Sequence, residues 1–188
     1  VYLFMLYLHE QATPVDPAWL RRLVRNPDDG LRSIGTAFPT RRSAEELWHD
    51  FAMALYLDEP SVTGGRFAIH GIALSAGGEP GAFPLPAAEP HDALPSRDAR
   101  TLDAWSLRAD RFCGLDGSLD LKLKASGRVC ATATWLRTAG PEVGGADVAR
   151  SECLAPGRPV VWSLRRAGAT DLVLVSANPG DEAVLFEF

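Results

Sequence analysis

The sequence predicts an α+β protein, an N-terminal helical subdomain followed by an antiparallel β-sandwich. Three observations carry that expectation. A capping box, Ser43-Ala44-Glu45-Glu46, opens an amphipathic apolar run in the first third of the chain. Leu119, Leu121 and Leu123 alternate strictly with Asp120, Lys122 and Lys124, which marks a half-buried antiparallel strand. Further short apolar segments, separated by closely spaced turn residues, follow that strand as they do in a sandwich.

In residues 1–11 the apolar positions fill nearly the whole circumference, which predicts a buried helix that Pro14 ends. Asp16-Pro17 supplies an N-cap and a first-turn proline for a second helix. Its apolar face is Trp19, Leu20, Leu23 and Val24, and the turn cluster Asn26-Pro27-Asp28-Asp29-Gly30 stops it. From the capping box, Leu47, Trp48, Phe51, Ala52, Ala54 and Leu55 form one face of a third helix, which ends near Asp58-Glu59-Pro60. His49 falls between these positions and is expected to face solvent.

Residues 61–100 change character. Gly64-Gly65, Gly77-Gly78, Pro80, Pro84, Pro86, Pro90 and Pro95 interrupt any period, so the stretch reads as an irregular linker with one short strand over 67–74. Residues 101–188 read as the β-sandwich. Its strands are expected at 104–109, 118–124, 128–136, 148–154, 159–165, 171–177 and 183–188. Leu172-Val173-Leu174-Val175 is apolar on both faces and is expected to be central. Asp116-Gly117, Ser126-Gly127, Gly144-Gly145, Pro156-Gly157 and Asn178-Pro179-Gly180 mark the turns.

Composition narrows the function classes. The chain has 188 residues, 46% hydrophobic and 23% charged, an ordinary globular balance that argues against disorder. A net charge of −5 without a basic stripe argues against a nucleic-acid partner. The apolar run at residues 1–8 is far short of the roughly 20 residues a membrane span needs. No basic n-region or small-residue cleavage site accompanies it, so the chain is expected to begin within a larger polypeptide.

Cys113, Cys130 and Cys153 match no zinc-ribbon or C-x-x-C spacing. In an exported protein two would pair and one would remain. Cys130 and Cys153 are the candidates, since each lies in an expected strand with a turn-rich segment between. The alternative is three buried thiols in a cytosolic protein.

No catalytic or metal-binding set emerges from the motifs. His9-Glu10 begins like H-E-x-x-H, but Gln11-Ala12-Thr13 follows and the second histidine is absent. His9-Glu10 therefore reads as a solvated pair at a helix end. His49 and Asp50 are adjacent on a helix and point about 100° apart, so they cannot form a base–orienter pair. His70 and His91 have no neighbour at metal-ligand spacing. Asp28-Asp29-Gly30 lacks the remaining ligands of a calcium loop. No G-x-S-x-G, P-loop or G-x-G-x-x-G is present. Of five tryptophans that could line a glycan-binding surface, Trp135 and Trp162 sit in expected strands and read as core.

Four segments carry a resemblance. Residues 2–11, Tyr-Leu-Phe-Met-Leu-Tyr-Leu-His-Glu-Gln, resemble a "YLF-x-x-YL-x-E-Q" helix, and Leu20–Asn26 with Gly30 resembles the helix and "N-x-x-x-G" turn that come next. Residues 45–60, ending in Tyr56-Leu57-Asp58-Glu59-Pro60, are similar to "F-E-E-L-F-x-D-W-A-x-A-N-Y-L-D-D-P". The patterns they resemble are those of secreted bacterial metallopeptidase-like proteins, the hyicolysin-like and related zincins. Residues 172–178 resemble a "V-V-L-V-V-S-N" strand of the β-domain that usually follows. The chain departs at Leu55, where the family often has Asn, and at His49 before Asp50.

The resemblance implies that the H-E-x-x-H helix and zinc lie upstream. No catalytic residue, cofactor-binding residue or metal ligand is then expected in this chain. Its partner would be an upstream catalytic domain of the same polypeptide, with the helices supporting that core and the β-sandwich serving as an accessory domain. The parent is either an active peptidase or a degenerate relative. Two alternatives stand beside it: a stand-alone secreted carbohydrate- or protein-binding module, and an unrelated hydrolase using a pair of carboxylates.

Overall fold

The computed structural model describes residues 2–40, 42–58, 62–72, 74–75, 83–84, 88–94, 96–136 and 146–188. The expected features at Glu59-Pro60, Gly77-Gly78, Pro80, Pro86, Pro95 and Gly144-Gly145 lie outside these residues. The chain forms two compact units, residues 1–85 and 86–188.

The first unit holds α1 (Tyr2–Ala12), α2 (Trp19–Arg25), α3 (Gly30–Ala37) and α4 (Ala44–Leu57), then a 3-10 turn (Val62–Gly65). Strands β1 (Leu74–Ser75) and β2 (Phe83–Pro84) form a two-residue parallel pair. Helix α1 buries Phe4, Tyr7, Leu8 and Ala12, a single i, i+3, i+4, i+8 face, while Tyr2 is exposed. Phe4 and Tyr7 meet Phe51 of α4 with ring centroids 5.2 and 5.8 Å apart, and Phe4 stands edge-on to Trp48 at 5.2 Å.

The capping box of α4 is complete. Ser43 Oγ accepts from the Glu46 amide at 3.1 Å, and the Glu46 carboxylate accepts from the Ser43 amide at 2.7 Å. Asp58 ends the helix in the left-handed conformation, φ 41°. Residues Leu47 and His49 through Leu55 are all buried, so α4 is enclosed on more than one face. His49 is therefore inside, not toward solvent as its place between apolar positions suggested. Asp16 also differs in role. Its carboxylate accepts from the Ala18 amide at 2.8 Å, an Asx turn before the helix, and the N-cap position is Ala18. Helix α3 begins at Gly30, which the sequence offered only as a stop.

Residues 67–69 are buried but are not a strand. The Ala68 amide turns back to the Gly65 carbonyl at 3.3 Å, and the carboxylates of Asp58 and Glu10, not a neighbouring strand, take the amides of residues 69–71.

The second unit holds β3 (Glu89–His91), β4 (Ala99–Leu102), β5 (Leu107–Phe112), β6 (Ser118–Ala125), β7 (Val129–Leu136), β8 (Ala146–Leu154), β9 (Val160–Arg165), β10 (Asp171–Ala177) and β11 (Val184–Glu187). They form a five-stranded sheet, β3-β5-β10-β7-β8, and a four-stranded sheet, β4-β11-β6-β9. All pairs are antiparallel except β3 with β5. One apolar core, including Phe112, Leu121, Leu123, Trp135, Trp162, Leu172, Leu174 and Phe186, draws on strands of both sheets. This is an α+β protein with a β-sandwich. Strand β3 and the first two residues of β4 fall within the stretch read as linker and belong to the sandwich.

Strand β6 keeps the alternation seen in its sequence, with Leu121, Leu123 and Ala125 buried and Asp120, Lys122 and Lys124 exposed. Strand β10 is central and buried at every position. Cys130 and Cys153 face each other across β7 and β8 and form a disulfide; Cys113 is free. Strand β5 begins three residues later than expected, because Trp105 takes a positive φ of 54° in the preceding turn. Asn178, read only as a turn residue, is fully buried. Its Nδ2 donates to the carbonyls of Leu102, Asp103 and Glu182 at 2.8–3.1 Å, and Oδ1 accepts from the Gly180 amide at 2.9 Å.

Candidate functional site

The polar side chains of α1 and α4 converge on one short segment, residues 65–71. Tyr7 donates its hydroxyl to the Arg66 carbonyl at 3.0 Å, and Gln11 Nε2 donates to the Gly65 carbonyl at 3.0 Å. The Glu10 carboxylate accepts from the amides of His70 at 2.7 Å and Gly71 at 2.5 Å. Asp58 accepts from the Ile69 amide at 3.0 Å. Asp50, fully buried, receives Arg66 in a two-pronged pair, Nε at 2.7 Å and Nη2 at 2.6 Å. Phe67, Ala68 and Ile69 are buried between these anchors.

The electrostatics follow from burial. Asp50 also pairs with Arg42, so one carboxylate answers two guanidiniums. Burial pushes the Tyr7 hydroxyl up to about 12, opposed by Arg42 and Arg66. Burial pulls His49 down to about 4, helped by the positive charges of Arg66 and Arg42. A neutral imidazole at neutral pH is the result. Glu10 is thus more than the solvated neighbour of His9 that its sequence suggested. His9 itself is exposed, with Nδ1 3.2 Å from Thr13 Oγ1.

A second polar cluster lies in the sandwich. His91, Asp98 and Asp110 place one ligand-type atom each within 4.8 Å of one another. Asp110 stands opposite Leu174 across β5 and β10, hence on the core face, and is fully buried. His91 Nε2 is 3.0 Å from its Oδ1, Nδ1 is 3.2 Å from Ser96 Oγ, and the ring stacks on Phe112. Sequence distance hid this meeting, since 19 residues separate His91 from Asp110.

The donors do not fit zinc. Arg108 holds Asp110 with Nε at 2.9–3.0 Å and Nη2 at 2.6 Å, and its Nη2 also reaches Glu89 at 2.7 Å and Asp98 at 3.5 Å. Arg100 pairs with Asp98 and Glu89. The hydrogen bond from Arg100 holds Glu89 below the usual carboxylate range, and that to Glu89 raises Arg100. Two guanidiniums already occupy the three carboxylates, and a dication would enter against both charges. The cluster is an ion-pair network that ties β3 and β4 to β5.

Trp19, Trp135 and Trp162 are buried, and Trp48 and Trp105 are half-buried. Trp105 donates from Nε1 to Asp181 at 2.8 Å. Burial raises the Cys113 thiol, with Asp171 adding to the shift.

No family model and no curated protein matches the chain. Among solved structures, a de novo designed double-stranded β-helix, determined in solution by NMR, shares 13% identity at a TM-score of 0.33 over 49% of this chain and 94% of its own. The crystal structure of PirA shares 16% identity at a TM-score of 0.34, over 49% of this chain and 91% of its own. At these scores neither likeness assigns a fold or a function.

Proposed function

We propose that this chain is the non-catalytic C-terminal part of a secreted zinc metallopeptidase-like protein. Its helices support an upstream catalytic core, and its β-sandwich is an accessory domain. One observation carries the proposal. The side chains that bear the resemblance, Tyr7, Glu10, Gln11, Asp50 and Asp58, are the ones that hold residues 65–71. They brace a backbone segment, as helices that support a neighbouring core would. The Cys130–Cys153 disulfide agrees with an exported protein. Zinc, in this proposal, is bound by residues outside this chain.

The test is a comparison of the longer natural polypeptide with the 188-residue chain in casein hydrolysis and zinc analysis. Chelator-sensitive hydrolysis and one bound zinc are expected in the longer form alone. Hydrolysis or stoichiometric zinc in the 188-residue chain would overturn the proposal, as would a longer form without H-E-x-x-H.

One observation favours a second reading, a carbohydrate- or protein-binding module. The sandwich has its own continuous core and disulfide, as a self-contained domain does. Saturable retention of the chain on a glycan array, with no peptidase activity in the longer polypeptide, would select it.

A further inference from the structure

Helix α2 carries an exposed face with two stripes. Trp19 is buried, whereas Leu20 and Val24, one turn apart, are 38% and 84% exposed. Arg21 and Arg25 form a parallel stripe beside them, again one turn apart and exposed. The arginine stripe borders a groove of about 340 Å³ walled by Ala18, Arg21, Arg22, Arg25, Thr36 and Ala37. Arg22 is committed to Asp16 and to the Ala37 carbonyl. Arg21 and Arg25 have no acidic partner among the described residues. Residues 17–27 contain three arginines and no acid, a local reversal in a chain of net charge −5.

We propose that this face of α2 docks an acidic peptide segment that also carries aliphatic side chains. Carboxylates would meet the Arg21 and Arg25 guanidiniums, whose planar forks match a carboxylate in two hydrogen bonds. Aliphatic groups would cover Leu20 and Val24. A partner helix with glutamates at i and i+4 beside leucines at the same spacing repeats both stripes in register. Two aliphatic side chains on a seven-residue helix are a small anchor for a lipid surface, which favours the peptide. The proposal does not rest on the peptidase reading.

The test uses the full 188-residue chain and a fluorescein-labelled helical peptide with one glutamate and one leucine stripe, read by anisotropy. Its glutamine counterpart and vesicles of phosphatidylcholine with phosphatidylserine are the controls. Saturable binding is expected for the glutamate peptide, weakened by salt. A loss on the order of tenfold is expected for the glutamine peptide and for the Arg21→Glu/Arg25→Glu variant. Val24→Asp, also at an exposed position, should weaken binding too, with the circular dichroism spectrum unchanged in both variants. No saturable binding would overturn the proposal. So would equal binding by the Arg21→Glu/Arg25→Glu variant, or binding to the anionic vesicles with none to the peptide.

Discussion

Glu10 and Gly71 are joined so closely that a side chain at residue 71 would press on the carboxylate that holds the Gly71 amide. The Gly71 amide donates to Glu10 Oε1 at 2.5 Å, and a Cβ on residue 71 would lie 2.6 Å from that same oxygen. One carboxylate thereby fixes two consecutive amides, those of His70 and Gly71, to α1. Gly71→Ala should push the carboxylate away and cost about 1 kcal/mol, the net worth of a partly hydrated charge-assisted bond. Glu10→Ala should cost a similar amount, and Glu10→Gln less, because its one remaining carbonyl oxygen still accepts. Urea unfolding measures the cost. Faster hydrogen exchange confined to the amides of His70 and Gly71 identifies the cause.

Asp50 is the buried counter-charge for Arg66 and Arg42. Asp50→Ala leaves two guanidiniums facing each other without it, and removing one partner of a buried pair costs about 3–5 kcal/mol. Arg66 is 44% exposed at its side chain and keeps water on one side, so the lower end of that range is expected. Arg66→Met should cost less than Asp50→Ala, since Arg42 still answers the carboxylate. The urea midpoints of the two variants check the order.

His49 makes the helical unit acid-sensitive. Its folded pKa is lowered from 6.5 to about 4 by burial and by Arg66 and Arg42. The unfolded chain therefore takes up a proton below pH 6.5 that the folded chain refuses until pH 4. Stability from this group is full above pH 6.5, falls through that window and is flat below it, a total of about 3 kcal/mol at 1.36 kcal/mol per unit. His49→Gln should remove this slope while leaving the carboxylate-driven loss at lower pH. Urea unfolding at a series of pH values, wild type against variant, shows it as a difference between the two curves.

Periodicity made the regular elements legible. The capping box at Ser43–Glu46, the alternation in β6 and the two-faced apolar run of β10 each describe a local environment, and each forms as its pattern requires. The two polar clusters were not legible, because their members are far apart in sequence. Glu10 meets Gly71 across 61 residues, and Asp50 meets Arg66 across 16. Residues 67–69 show the same limit from the other side. Their apolar character signalled burial correctly, but strand character depends on who takes the amides, and that partner is a helix side chain. His49 was misplaced because the other side of α4 is also covered, which no single-helix pattern records.

The Cys130–Cys153 disulfide closes a loop of 23 residues between adjacent strands. Loop-closure entropy assigns it about 3 kcal/mol. Adding reductant, or replacing both residues by serine, should lower the urea midpoint of the sandwich accordingly. Thiol titration of the denatured, unreduced protein should find one free thiol, Cys113, and three after reduction.

Arg108 and Arg100 should exclude zinc from the His91, Asp98 and Asp110 cluster. Zinc added to the wild-type chain is then expected to leave its unfolding temperature unchanged, since any cation must displace a guanidinium already bonded to Asp110 at 2.6 Å. Arg108→Ala removes that bond and one of the two positive charges beside the carboxylates. It should destabilise the sandwich, because Asp110 is fully buried and keeps only His91. In this variant alone, added zinc should recover part of the lost stability, with His91 as one of its ligands. Replacing His91 by Ala in the Arg108→Ala background should abolish the rescue. A zinc-induced rise in the wild-type unfolding temperature would show instead that the guanidiniums yield to the metal, and that the network is a metal site held closed by its own arginines.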